Sequence, residues 1–154
     1  MADVLGLGTQ LRRVTASLDG DVQALYDELG VPFRPRFFPI VQHLLANGAT
    51  AVSALARVTG VSQPAATQTV AEMAKVGLVA VAGGADARER LVRLTPAGLR
   101  LTEQLGVLWN AVSAAATELD SELPQPLSTT LSSTLAALAR EPFKDRIRRK
   151  MKVD

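Results

Sequence analysis

The side chains best suited by type and spacing to do chemistry cluster in residues 79–96, VAVAGGADARERLVRLTP. There Asp86, Arg88, Glu89 and Arg90 form a knot of opposite charge between two apolar runs, and Arg93 lies in the second run. Upstream, Ser62, Gln63, Pro64, Thr67 and Gln68 form a second, uncharged polar set. A glutamine carboxamide offers one donor and one acceptor side by side, the pattern that pairs with the edge of adenine. On residue type alone both sets also read as solvated surface.

Other chemistries are nearly closed to this chain. It has no cysteine, which excludes a disulfide, a thiol redox sensor and a thiolate zinc site, and its one histidine, His43, cannot build a metal site alone. No Gly-rich phosphate loop, H-E-x-x-H or nucleophile elbow occurs. The expectation is a protein that is not an enzyme, with no catalytic residues, no metal and no cofactor. His43 falls on a largely apolar segment and reads as a packed or partly exposed residue rather than a sensor.

The polar sets need elements to position them. Leu7, Leu11, Val14, Leu18, Val22, Leu25 and Leu29 recur at three- and four-residue intervals, which predicts an amphipathic helix stopped by Gly30 and Pro32. A helix of about three turns follows, through Phe37 to Leu45, and closes at Asn47-Gly48. Thr50 or Ser53 can cap a short helix bearing Leu55, Ala56 and Val58 and ending at Gly60. Ser62 then caps a helix with Pro64 in its first turn and Ala66, Val70 and Met73 facing inward, so the two short helices form a helix-turn-helix.

After Gly77, Leu78–Val81 and Leu91–Leu94 read as strands joined through Gly83-Gly84, a β-hairpin that directly follows the helix-turn-helix. Thr95 caps and Pro96 opens a long helix with a heptad-like seam of Leu101, Leu105, Leu108, Val112, Ala115 and Leu119. Pro124 and Pro126 interrupt it, and Leu127, Leu131, Leu135 and Leu138 mark a last helix before the tail EPFKDRIRRKMKVD. Arg146, Arg148, Arg149, Lys150 and Lys152 of that tail read either as phosphate or dimer contacts or as a frayed, solvated end.

The totals fit one domain: 154 residues, 47% hydrophobic. The N-terminus MADVLGLGTQLRR lacks the pattern of a signal peptide, and no run of eighteen apolar residues occurs, so a cytoplasmic protein with no membrane partner is expected. Residues 140–154 hold seven Lys/Arg against three Asp/Glu, leaving ten against twelve for residues 1–139. A net charge of +2 is therefore no argument for nucleic-acid binding; the placement of the cations is what counts.

Three stretches resemble the MarR family of winged helix-turn-helix transcription regulators: VSALARVTGVSQPAATQTVAEMAKVGLV at 52–79, D-A-R at 86–88 and RLVRLTPAG at 90–98. The resemblance implies a mainly α fold with a small β-hairpin wing. It places dimerisation in residues 1–30 and 96–154, and a winged helix-turn-helix DNA-binding lobe in residues 33–95 of a single MarR-like domain. It further implies a homodimer, expected to be a repressor, on a pseudo-palindromic operator in double-stranded DNA. Ser62, Gln63, Pro64, Thr67 and Gln68 would belong to the recognition helix. In the wing, Arg88 would enter a minor groove braced by Asp86, with Arg90 and Arg93 on phosphate.

Many family members carry a cation near position 68, whereas Lys75 is the sole one in this helix, which shifts the expected DNA affinity toward the wing. Tyr26, Arg34, Arg36 and Trp109 are candidates for a cleft that binds a small-molecule effector, although a core role for the two aromatics is the stronger reading. The alternative function is a winged-helix protein-interaction module without specific DNA binding, in keeping with the uncharged face of the recognition helix.

Overall fold

The computed structural model describes residues 6–83, 86 and 89–151. Its contacts divide the chain into two compact units, residues 1–105 and 106–154.

In the first unit, α1 (Leu7–Glu28) leads through a 3₁₀ turn (Pro35–Phe37) into α2 (Phe38–Asn47). Short strand β1 (Thr50–Ala51) precedes α3 (Val52–Thr59) and α4 (Gln63–Lys75), and strands β2 (Val79–Gly83) and β3 (Arg90–Leu94) follow. Helix α5 (Pro96–Glu122) begins in this unit. The fold is thus mostly helical with a small antiparallel sheet, as expected. The sheet has three strands rather than the two of a hairpin, in the order β1-β3-β2: Thr50 pairs with Val92 and Val79 with Leu94. Thr50 is therefore not the cap of α3. Ala51 holds that position and no side chain bonds the first turn, while the Thr50 hydroxyl donates to the Gly48 carbonyl at 2.9 Å.

The helix-turn-helix is built by local rules. Gly60 adopts φ +69°, in the left-handed region that glycine enters without a Cβ penalty. This lets the Val61 N–H donate to Ala56 and the Gly60 N–H to Arg57, so the last carbonyls of α3 are satisfied. Ser62 Oγ accepts from the Ala65 N–H at 3.3 Å and so caps α4. Ala66, Val70 and Met73 are buried, one face of a 3.6-residue period. They join Leu55, Leu78 and Val92 in a core that Tyr26, Phe33, Phe37, Ile40, Val41 and Leu44 extend. Tyr26 and Phe33 tilt against each other with centroids 5.0 Å apart, and Phe33 meets Phe37 edge-on at 5.7 Å. Val58, grouped with Leu55 and Ala56 in the sequence, is exposed instead.

Thr95 ties three elements together. Its hydroxyl donates to the Gly77 carbonyl at 2.5 Å and accepts from the Gly98 N–H at 2.9 Å, while its own N–H donates to Leu78 at 3.0 Å. Gly98 permits the approach: a Cβ there would stand 2.2 Å from the Leu78 carbonyl oxygen. The start of α5 is thereby fixed to the turn between α4 and β2.

The second unit holds the rest of α5, then α6 (Leu127–Arg140) and α7 (Phe143–Met151). Asp120 takes over the capping of α6, accepting from the Ser128 N–H at 3.2 Å and from the Ser128 hydroxyl. These bonds, the side-chain one first, hold its carboxyl below the usual aspartate range. Residues 143–151 of the basic tail are helical rather than frayed. Arg146 donates to the carbonyls of Ala137 and Glu141 at 3.1 and 3.3 Å, and Glu141 pairs with Arg146 and Arg149, which satisfies the end of α6. Lys152 lies outside the described residues.

Candidate nucleic-acid interface

Helix α4 turns one face inward, so the opposite face is fixed by the same period. Ser62, Gln63, Pro64, Thr67 and Gln68 are all exposed. On the sheet, Val92 is buried while Arg93, on the opposite face by strand alternation, is exposed; Arg90 shares the face of Val92 but is exposed at the end of β3. Asp86 is exposed as well, and its carbonyl accepts from the Glu89 N–H at 2.9 Å in the turn leading back into β3. Arg88 lies outside the described residues.

A hollow of about 430 Å³ joins the two polar sets, lined by Gln63 and Thr67 from α4, Asp86, Glu89 and Arg90 from the wing, and Ala51, Val52 and Ser53 from the start of α3. Gln68 and Arg93 do not line it. Ser53 and Glu89 enter the site although the sequence assigns neither a binding role, Glu89 reading only as one charge of the knot and Ser53 only as a cap. Yet a position in the first turn of the first helix of a helix-turn-helix, such as that of Ser53, is where the chain crosses a nucleic-acid backbone. Among the described residues the hollow offers carboxamide and hydroxyl hydrogen-bonding groups beside the Arg90 guanidinium and the Asp86 and Glu89 carboxylates.

A second, larger cleft of about 690 Å³ lies on the same unit, between the end of α1, the 31–37 segment and the end of α4. Arg34, Arg36 and Lys75 line it beside Asp27 and Glu72, with Val31, Phe33, Phe37 and Val76 as apolar wall. Arg36 forms an ion pair with Glu72, and its guanidinium carbon stands 5.7 Å from the centroid of the Phe37 ring. Gln23 Nε2 donates to Asp27 at 2.9 Å and to the Phe33 carbonyl at 3.3 Å. Of the four residues expected to form a ligand cleft, the structure brings together Arg34 and Arg36. Tyr26 is buried in the aromatic core behind the wall, and Trp109, half-buried, belongs to the second unit. His43 interacts with Asn47, whose Nδ2 lies 3.3 Å from its Nδ1.

Among the described residues no group of three His, Asp or Glu side chains is arranged to hold a metal ion, and no helix is long and apolar enough to cross a membrane.

Comparison with known proteins agrees with this geometry. The model of the MarR family matches residues 35–89, from the 3₁₀ turn to the residue before β3. No curated protein sequence matches the chain. Among solved structures, a MarR family transcriptional regulator from Silicibacter pomeroyi DSS-3 is 27% identical, with 87% of this chain and 93% of that one covered and a TM-score of 0.59. The M. tuberculosis transcriptional regulator MosR, solved in complex with DNA, is 23% identical over 88% of this chain and 97% of its own, with a TM-score of 0.72. Bordetella bronchiseptica BpsR, solved in a study of how 6-hydroxynicotinic acid regulates its DNA binding, is 20% identical over 86% of this chain and 98% of its own, with a TM-score of 0.66. Residues 35–89 thus match the MarR family model, and the chain has the mostly helical winged-helix fold of solved MarR transcriptional regulators.

Proposed function

We propose that this protein is a cytoplasmic, sequence-specific DNA-binding transcription regulator without enzymatic activity, acting as a homodimer that represses from a pseudo-palindromic operator. The observation that carries this reading is the shared hollow: Gln63 and Thr67 of α4 face the same space as Asp86 and Arg90 of the wing. One helix and one hairpin can therefore straddle a single duplex. Gln63, Thr67 and Gln68 read base edges in the major groove, with Ser62 and Pro64 setting the start of the helix. Arg88 enters the adjoining minor groove with Asp86 as its brace, and Arg90 and Arg93 contact phosphates. Residues 1–30 and 96–154 supply dimerisation, and residues 33–95 read DNA. The exposed leucine stripes of α1 and α6 support this division, because apolar surface of that extent calls for a cover. The cleft at Arg34 and Arg36 supports control by a small molecule.

Fluorescence anisotropy with operator and mixed duplex over a salt series tests the reading. Arg88→Ala should weaken binding to both duplexes and flatten the salt slope by roughly one unit. Gln68→Ala should leave the slope unchanged and lower discrimination at one base pair by about 1–3 kcal/mol. Binding with no salt dependence, or an Arg88→Ala variant of unchanged affinity, would overturn it. A second reading, a protein-interaction module, then leads, favoured by the exposed face of α4 at Gln63, Thr67 and Gln68, which carries no charge.

A further inference from the structure

We propose that α4 confines its share of the operator to A·T pairs read in the major groove. Gln68 takes an adenine edge, Pro64, Thr67 and Ala71 take thymine methyl groups, and the helix reads no guanine. This rests on the DNA-binding reading above and narrows it to a class of target.

The burial of Ala66, Val70 and Met73 fixes what α4 presents on its other side. Steps of four, three and four residues place Pro64, Gln68, Ala71 and Lys75 in one line opposite that face, and all four are exposed. Thr67 is exposed beside Gln68, toward the hollow shared with the wing. Up to Ala71 the line therefore holds a single hydrogen-bonding side chain, and that side chain is neutral. Lys75, the one cation of α4, stands in its last turn, about 10 Å along the axis beyond Gln68, where it lines the cleft next to Val76. Base edges are met by the opposite, N-terminal end of such a helix.

This set of groups selects bases by chemistry. In the major groove guanine shows two acceptors, N7 and O6, whereas adenine shows the acceptor N7 beside the N6 donor. A carboxamide matches adenine, donating to N7 and accepting from N6; against guanine its oxygen faces O6, acceptor against acceptor. No guanidinium or ammonium stands on the first turns of α4 to take guanine instead. The Pro64 ring and the methyl groups of Ala71 and Thr67 can gain from one feature of these edges, the thymine C5-methyl. The wing cannot supply the same discrimination, because A·T and T·A present the same acceptors in the minor groove.

The probe is a duplex library with a randomised core of about two helical turns, from which the full-length protein selects its targets. Selected half-sites should be most constrained at A·T pairs. Two replacements in a selected duplex then separate α4 from the wing. Deoxyuridine for thymidine removes only a major-groove methyl and should weaken binding about threefold or more at sensitive positions. Thr67→Ser, which keeps the hydroxyl and loses the methyl, should bind the two equally at one of them. An inosine·cytosine pair keeps the minor-groove pattern of A·T but shows the acceptors of guanine in the major groove. Opposite Gln68 it should cost about fivefold or more, and Gln68→Arg should reverse that preference. All these side chains are exposed, and circular dichroism checks that the variants fold. Half-sites most constrained at G·C pairs, indifference to deoxyuridine at every position, inosine·cytosine accepted as well as A·T, or preferences unmoved by Thr67→Ser and Gln68→Arg would overturn the inference and leave a sequence-specific regulator. A protein that selects no sequence from the library would overturn the DNA-binding reading itself, and this inference with it.

Discussion

The short helices α2 to α4 of the first unit and the helices of the second carry apolar residues at similar helical spacing and do opposite things with them. In α2, α3 and α4 one face is buried, with Leu55 and Met73 at 0% exposure beside Val92 of β3, also at 0%. From Gly106 to Met151 no described residue is buried, although Leu131, Leu135 and Leu138 form a regular stripe and Leu135 is 69% exposed. Periodicity marks a face that must be covered; it does not say by what. For α2, α3 and α4 the cover is the chain itself; for α6, as for the exposed Leu7, Leu11, Leu18 and Leu25 of α1, we assign it to the partner of the proposed homodimer. The α5 seam records the change: Leu105 is buried, Leu101, Leu108 and Val112 are half-buried, and Ala115 and Leu119 are exposed.

That contrast can be broken most directly at Leu135. If a second copy covers the stripe, Leu135→Asp places an unpaired carboxylate in an apolar interface, at a cost of several kcal/mol. Sedimentation at micromolar concentration should then show monomer in place of dimer, with operator binding lost as well. A wild-type protein that sediments as a folded monomer would remove the basis of the comparison.

The next effect belongs to the part that the chain covers for itself. Gly98→Ala forces a Cβ against the backbone at Leu78, which has no freedom to rotate away, and should cost about 2 kcal/mol or more through overpacking. Urea unfolding monitored by circular dichroism measures it. Because the clash lies within one chain, the loss should not depend on protein concentration, unlike that of Leu135→Asp.

The smallest effect sharpens the account of the second unit, where polar contacts rather than burial join α5 to α6. The Asp120 carboxyl titrates below its usual range because Ser128 donates to it. A group with a depressed folded value contributes stability that is present above the ordinary aspartate range and lost as pH falls through the depressed value. Ser128→Ala should therefore move the Asp120 titration upward in carboxyl NMR and weaken its acid-range linkage, with little change near neutrality. An unmoved titration would mean that the contact does not persist in solution.

What could be read beforehand followed the range of the interactions involved. Ala66, Val70 and Met73 were legible as the inner face of α4 because i, i+3 and i+4 spacing depends only on helix geometry. The same holds for the Ser62 cap and for Thr95-Pro96 at the start of α5, where a hydroxyl bonds an N–H three residues ahead. Strand β1 was not legible: two residues have no period, and they are a strand only because Val92 and Leu91, some forty residues on, lie beside them. Helix α7 was hidden by its own composition, since a run of cations reads as solvated until Glu141 and the carbonyls at the end of α6 are seen to receive Arg146 and Arg149. At the candidate interface, the residue types and their outward face were legible, whereas the hollow that joins Gln63 and Thr67 to Asp86 and Arg90 was not.

The sequence by itself determined where α4 starts, where α5 begins and which face of α4 is apolar, because caps, left-handed glycines and apolar periods act within a turn or two of the chain. Only the tertiary structure decided which apolar faces the chain covers for itself, that Gly98 must lack a Cβ, and that Arg36 meets Glu72 across a cleft. Each of these depends on two surfaces distant in sequence arriving at one place, and the spacing of residues along the chain does not encode that distance.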